Sequence, residues 1–180
     1  MSRYAVLVDG GYFKKVLAQF GEPRVSYLKF SELVGHGEER LRTYYYDCAP
    51  FVSPTPSPDE KQRQSSFDRF KTALEMEPRF QVRLGRLAKY SAPTGVKFVQ
   101  KMVDIYLTID LVKLSLEHQI QRAVLVAGDS DFVPAIQVAR DAGTVVQLYY
   151  CCNPRPHEQL LQACDERILI DRELIKKIAR

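Results

Sequence analysis

Val6-Leu7-Val8-Asp9-Gly10-Gly11 and Leu125-Val126-Ala127-Gly128-Asp129-Ser130-Asp131 share one design. Each is a short apolar run that ends in glycine and carboxylate. A run of that length closed by a turn reads as a strand buried on both faces. Such strands belong to parallel sheets covered by helices. In open sheets of this kind, ligands gather outside the carboxyl ends of the strands. Asp9 and Asp129 therefore meet if their strands are neighbours. Asp131 follows two residues later, in the turn before the next helix. The glycines let the backbone bend tightly and let a ligand approach.

The rest of the chain alternates in the same way. Residues 12–20 are expected to be helical, with Phe13, Val16, Leu17 and Phe20 on one side. Leu28 to Leu33 can add a short helix, and Leu41 to Tyr46 is aromatic and β-branched enough for a strand. Pro50, Pro54, Pro56 and Pro58 open a Pro/Ser-rich polar loop expected over residues 50–66, followed by a helix to about residue 76. Phe80 to Leu84 alternates like a strand and can extend to Leu87. Lys101 to His118 reads as the longest helix. After the strand Ala123–Ala127 come a helix over Phe132–Ala142 and a strand over Thr144–Tyr150. A short helix over His157–Leu161, a strand over Arg167–Ile170 and a helix capped by Asp171 complete the chain. The pattern implies an α/β fold, three layers α/β/α around a mainly parallel sheet of about five strands. The 180 residues suit one domain spanning the whole chain.

Composition narrows the function. The chain is 46% hydrophobic and 27% charged, ordinary for a globular protein. No run of about 18 uncharged apolar residues is present, so neither a membrane span nor a membrane partner is expected. The start carries no signal-peptide pattern, which points to the cytoplasm. The four cysteines form no CxxC pair, and the three histidines lack zinc-ligand spacing. The formal charge is +4, unevenly spread. Residues 61–101 hold ten Lys or Arg against three acids, a net +7 that leaves −3 elsewhere. A basic segment beside an acidic remainder is a footprint of phosphate binding, although a solvated face produces the same pattern.

The carboxylates carry the chemistry. Several like charges at one strand edge need compensation by protons, a cationic side chain or a metal ion. An all-oxygen donor set suits Mg²⁺ or Mn²⁺ rather than zinc. Asp104, early in the long helix, shares a helical face with Thr108, and Lys101 precedes it by three residues. Asp110 lies about 240° further round and either supports the site or the helix packing. Each strand-end aspartate has a structural alternative, capping the following helix. Ser130 is expected to hydrogen-bond the site or a phosphate, or to cap. Gly10-Gly11 lacks the P-loop lysine and the dinucleotide glycine pattern, and Gly128 to Asp131 is not a nucleophile elbow.

Together these motifs resemble the NYN domain family, a branch of the PIN-like nucleases that includes the LabA-like and DUF88 proteins. The matching pieces are VLVDGGYF at 6–13, KMVDIYLTIDL at 101–111, VLVAGDSDFVPAI at 124–136, GTVVQLYY at 143–150 and LLQACDERI at 160–168. The resemblance implies a metal-dependent endoribonuclease with a five-stranded parallel core. Its acidic cluster would be Asp9, Asp104, Asp129 and Asp131, binding Mg²⁺ or Mn²⁺. Asp110 and Asp165 match recurrent acids outside the centre, and Lys101 a commonly basic position. Where many relatives carry asparagine after the first aspartate, this chain has Gly10 and Gly11. Where some carry glycine before the Val-Asp pair, it has Met102. Hydrolysis of RNA phosphodiesters leaving 5′-phosphate and 3′-hydroxyl ends is the implied reaction. A noncatalytic RNA-binding module and a small-nucleotide phosphohydrolase are the alternatives.

Single-stranded RNA is the expected partner. Lys61, Arg63, Lys97 and Lys101 are candidates for its phosphates, and Tyr12, Tyr45, Tyr90 or Phe132 for stacking on its bases. Leu169 to Ile178 either closes the sheet or offers an apolar face to a second copy in a homodimer.

Overall fold

The central strand β1 (Arg3–Asp9) has a neighbour on each side, β2 (Glu39–Cys48) and β5 (Arg122–Val126), both parallel to it. Ala5 to Val8 are completely buried, as an apolar run between two strands and two helical layers must be. The computed structural model describes the backbone of residues 2–92 and 95–180, and the side chains of 2–87, 95 and 102–180.

The strands lie in the order β4-β3-β2-β1-β5-β6-β7. Six of them, including β3 (Phe80–Ala92), β6 (Val145–Tyr150) and β7 (Glu166–Leu169), are parallel. β4 (Gly95–Lys101) returns antiparallel along β3. The expected α/β/α layering holds, with two more strands than the expected five.

Side chains alternate between two cores, following the two-residue strand period. Ala5, Leu7 and Leu125 face a core shared with α4 (Val103–Leu116), α5 (Val133–Asp141) and α6 (Glu158–Ala163). Tyr4, Val6 and Val124 face a second core, built with α1 (Gly10–Ala18), α2 (Tyr27–Leu33) and α7 (Arg172–Ile178). Ile170, Ile175 and Ile178 are buried there, while Leu169 is exposed.

Two expectations are corrected. The polar loop ends at Ser57, because α3 (Pro58–Glu75) begins eight residues before the boundary expected at residue 66 from composition. Ser57 accepts from the Glu60 amide, the Glu60 carboxylate accepts from the Ser57 amide, and Pro58 occupies the first turn. The helix can be polar because it lies on the surface, with Leu74 its one buried residue. The long helix starts at Val103 rather than Lys101, and Lys101 closes β4. Met102, at φ 74°, turns the chain from strand into helix. Val96, Phe98 and Val99 have the β-branched and aromatic character of a strand.

Candidate active site

β1 and β5 are the strands where the order reverses. From β1 the chain builds outward through β2 and β3, and from β5 through β6 and β7. The connection after β1 leaves into α1 beneath one face, and the one after β5 leaves into α5 beneath the other. A crevice opens at the carboxyl edge wherever consecutive strands diverge in this way. Val8 pairs with Val126, so Asp9 stands beside Ala127, two residues short of Asp129.

Both strand-end aspartates also cap. Asp9 Oδ1 accepts from the Tyr12 amide at 3.1 Å, at the start of α1. Asp129 Oδ1 accepts from the Asp131 amide at 3.1 Å, at the start of the 3₁₀ turn Ser130–Phe132. The adjoining glycines are needed for space. A Cβ on Gly10 would lie 2.5 Å from the Tyr45 ring and 2.8 Å from the Tyr46 carbonyl oxygen. A Cβ on Gly128 would lie 2.5 Å from the Tyr12 ring.

Register brings Asp104 to the same edge. β2 and β3 stay paired up to Cys48 and Gly85, beyond the Asp9–Tyr46 level. β3 and β4 then pair from Arg86–Lys101 outward, so the chain returns to the sheet edge at Lys101. α4 starts there, with Asp104 in its first turn, and runs back across the sheet towards β5. Asp104, Asp129 and Asp131 are exposed, while Asp9, Thr108 and Ser130 are half-buried.

The four carboxylates act on one another. Burial pushes Asp9 up to about 6, with further upward pressure from Asp104 and Asp47 against the lowering effect of the Tyr12 and Gly11 amides. Burial also raises Asp104, and the charges of Asp129 and Asp131 raise it further. Among the described residues, none of the four makes an ion pair. Such a cluster, oxygen-only and uncompensated, fits a hard divalent cation in its donor chemistry. As placed, no three Asp, Glu, His or Cys among the described residues stand close enough to grip one ion. Ligation therefore requires the carboxylates to draw together.

Other predicted residues fall elsewhere. Asp110 is buried and holds Arg83 through bonds of 2.6 and 3.0 Å, while Tyr46 Oη donates to it at 2.8 Å. It braces α4 against β2 and β3. Asp165 accepts from Arg140 and from the Val146 amide, which ties it to β6. Tyr12 is not available for stacking on RNA: it is buried, its hydroxyl donates to Pro154 O and accepts from the Cys151 amide. Tyr45 and Phe132 are likewise core residues, at 1% and 0% exposure. Lys61 and Arg63 are exposed and line different grooves beside α3. The side chains of Lys97, Lys101 and Tyr90 lie outside the described residues.

Asp47 escaped the sequence reading. It follows Tyr46 at the end of β2 and contributes to the upward pressure on Asp9. Its signal was the same strand-then-carboxylate pattern, in Tyr44-Tyr45-Tyr46-Asp47, without the glycine that marks the other two strand-end acids.

The sheet is a doubly wound α/β/α sheet with aspartates at its switch point, an architecture consistent with the PIN-like nuclease fold that the NYN family implies, a class generally dependent on divalent metal. The NYN domain profile matches residues 3–171, and the chain belongs to that family. A crystal structure of a protein of unknown function from Vibrio parahaemolyticus aligns over 99% of this chain and 96% of its own, at TM-score 0.65 and 18% identity. That likeness supports the fold alone. A reductase domain of the aureusimine biosynthetic cluster aligns over 82% of this chain and 48% of its own at 10% identity, and its TM-score of 0.30 adds nothing. No curated protein gives a significant match. No helix among the described residues is long and apolar enough to cross a membrane.

Proposed function

We propose that this chain is a metal-dependent endoribonuclease that cuts single-stranded RNA at the switch-point crevice. The observation that carries the reading is the convergence of Asp9, Asp104, Asp129 and Asp131 on one sheet edge, where Asp104 raises Asp9 and the charges of Asp129 and Asp131 raise Asp104, with no ion pair to any of the four among the described residues. Asp9, Asp129 and Asp104 would hold Mg²⁺ or Mn²⁺, with Asp131 either joining them or orienting the attacking water. A divalent ion there supplies positive charge to a phosphate oxygen and acidifies a water. The caps on Asp9 and Asp129 orient these two carboxylates at the strand edge, and ligation would still require the acids to draw together. Ser130 and Thr108, half-buried beside the acids, offer hydroxyls to the phosphate. Arg63 and Lys61 on α3, with Lys97 and Lys101 on β4, supply cations for the backbone.

The looseness of the carboxylates as placed favours a second reading, an RNA-binding module without cleavage. One experiment separates them: labelled single-stranded RNA incubated with Mg²⁺, Mn²⁺ or Co²⁺, beside a parallel assay on free nucleotides. Cleavage in Mn²⁺ that disappears in Asp9→Asn and Asp129→Asn is expected. Firm RNA binding with no cleavage in any of the three metals would leave the module. Hydrolysis of nucleotides alone would leave a small-substrate phosphohydrolase.

A further inference from the structure

A groove lies between the end of β2 and α3. It encloses about 700 Å³ and is lined by Lys14, Asp47, Pro50, Asp59, Arg63 and Phe67 among others. Asp47 marks where it meets the active edge, since the preceding Tyr46 pairs with Asp9. We propose that this groove is a subsite for one nucleotide of the RNA strand, next to the phosphate being cut. The proposal rests on the nuclease reading for the identity of the strand.

Asp47 is committed to building this subsite rather than to holding metal. Its Oδ2 receives Lys14 Nζ at 2.5 Å and Tyr45 Oη at 3.2 Å, and its Oδ1 receives the Cys48 amide at 2.8 Å. The Asp47 side chain is 3% exposed, that of Lys14 52%. The buried carboxylate therefore anchors an ammonium on a side chain that lines the groove. Arg63 is exposed on α3 and makes no ion pair among the described residues. Together they give a phosphate two donors.

Phe67 supplies the base contact. It is half-buried, yet it belongs to neither core, whereas Phe70 one turn further packs into the second. Phe67 lines the groove, as does Pro50. An aromatic face beside two cations is what a single-stranded nucleotide needs, because stacking accepts any base while the cations track the backbone. Asp59, in the first turn of α3, is a groove-side acceptor for a base amino group.

The test is fluorescence anisotropy of a labelled single-stranded oligoribonucleotide in EDTA over a series of salt concentrations. Arg63→Gln is expected to reduce the salt slope by about 0.7, the loss of one phosphate contact on a single strand. Phe67→Ala is expected to weaken binding about tenfold with the slope unchanged. Lys177→Gln, on the exposed side of α7, serves as the charge-matched control and should leave both values as they are. Thermal melts establish that each variant is folded, and Arg63 is exposed enough to carry the test alone if Phe67→Ala is not. Binding within twofold of wild type for both Arg63→Gln and Phe67→Ala overturns the subsite, as does a wild-type chain that binds no single strand. A cleavage assay alongside keeps the two readings apart. Cleavage lost in Asp9→Asn but untouched by the groove variants removes the subsite and leaves the nuclease. Groove-dependent binding in a chain that cuts nothing removes the nuclease and leaves the subsite.

Discussion

Replacing Asp9 by asparagine should stabilise the protein in the absence of metal. The Asp9 carboxyl sits at about 6 rather than the ordinary 3.8, first because it is buried, then because Asp104 and Asp47 are near. At pH 8 the folded protein must carry that ionised carboxylate in a place that disfavours it. Two pH units correspond to about 3 kcal/mol, which is the ceiling for relief on removing the charge. Asparagine keeps an oxygen for the Tyr12 amide, so the cap on α1 survives. Its amide nitrogen needs a partner of its own, which reduces the gain to about 1–2 kcal/mol. For a chain of this size that is a rise in Tm of about 2–8 °C.

The sign of the pH dependence follows from the direction of the shift. Above the folded pKa near 6 the wild type bears the full penalty. As pH falls through 6, the folded protein takes up the proton before the unfolded chain does, and stability returns until about pH 4. The gap between Asp9→Asn and wild type should therefore close between pH 6 and pH 4. Manganese should reverse the order. At one hundred times its dissociation constant it would add about 2.7 kcal/mol to the wild type and little to the variant. Thermal unfolding from pH 4 to 8, with EDTA and with Mn²⁺, reads all three effects. A variant less stable than wild type at pH 8 in EDTA, or a gap of the same size at both ends of the range, would refute the electrostatic account of the site.

Substitutions at three further positions separate packing from chemistry. Asp110→Ala leaves Arg83 and Tyr46 Oη without their acceptor and is expected to cost about 3–5 kcal/mol in urea unfolding, while any Mn²⁺-induced rise in Tm persists. Gly10→Ala drives a methyl into Tyr45, which is 1% exposed and cannot swing away; a loss of about 1–3 kcal/mol in the same assay is expected, and an unchanged midpoint would show the close approach to be unimportant. Asp129→Ala should lose about 1 kcal/mol through the missing cap where Asp129→Asn does not, yet both should abolish the Mn²⁺-linked shift. A metal response retained in Asp129→Asn would remove Asp129 from the proposed ligands.

The strand runs around Leu7 and Leu125 were readable because burial on both faces leaves an unbroken apolar signature that polar surfaces cannot imitate. Their adjacency was not readable, since it depends on β5 crossing to the far side of β1. The N-terminal half of α3 was missed for the opposite reason. A surface helix with one buried residue has almost no hydrophobic period, and its start is written instead in the Ser57–Glu60 capping box. Asp104 was legible through its motif alone. Its delivery to the edge depends on the β3–β4 register, and the helix that holds it begins two residues later than its sequence suggested. Tyr12 stands next to the glycines and looked solvent-facing. Only the Gly128 backbone, which leaves room for its ring, reveals it as a strut beneath the site.

Capping and metal binding looked like competing explanations for a strand-end aspartate, and the geometry makes them compatible. A carboxylate has about four acceptor positions. Asp9 uses some of these on the Tyr12 and Gly11 amides, and Asp129 one on the Asp131 amide. Amide donors orient a carboxylate without cancelling its charge. Asp47 shows the contrast on the neighbouring strand: it also accepts an amide, but its other oxygen is held by the Lys14 ammonium. β5, β1 and β2 thus all end in a carboxylate at one edge, and the donors around each decide its use. Where only amides bind, the residue stays available to a cation. Where an ammonium binds, the residue becomes an anchor for that ammonium. Moving a lysine into reach of Asp9 should therefore convert it to the second kind, lowering its raised pKa and removing its response to Mn²⁺ together. The two losses have to appear at once, because both follow from the same neutralised charge.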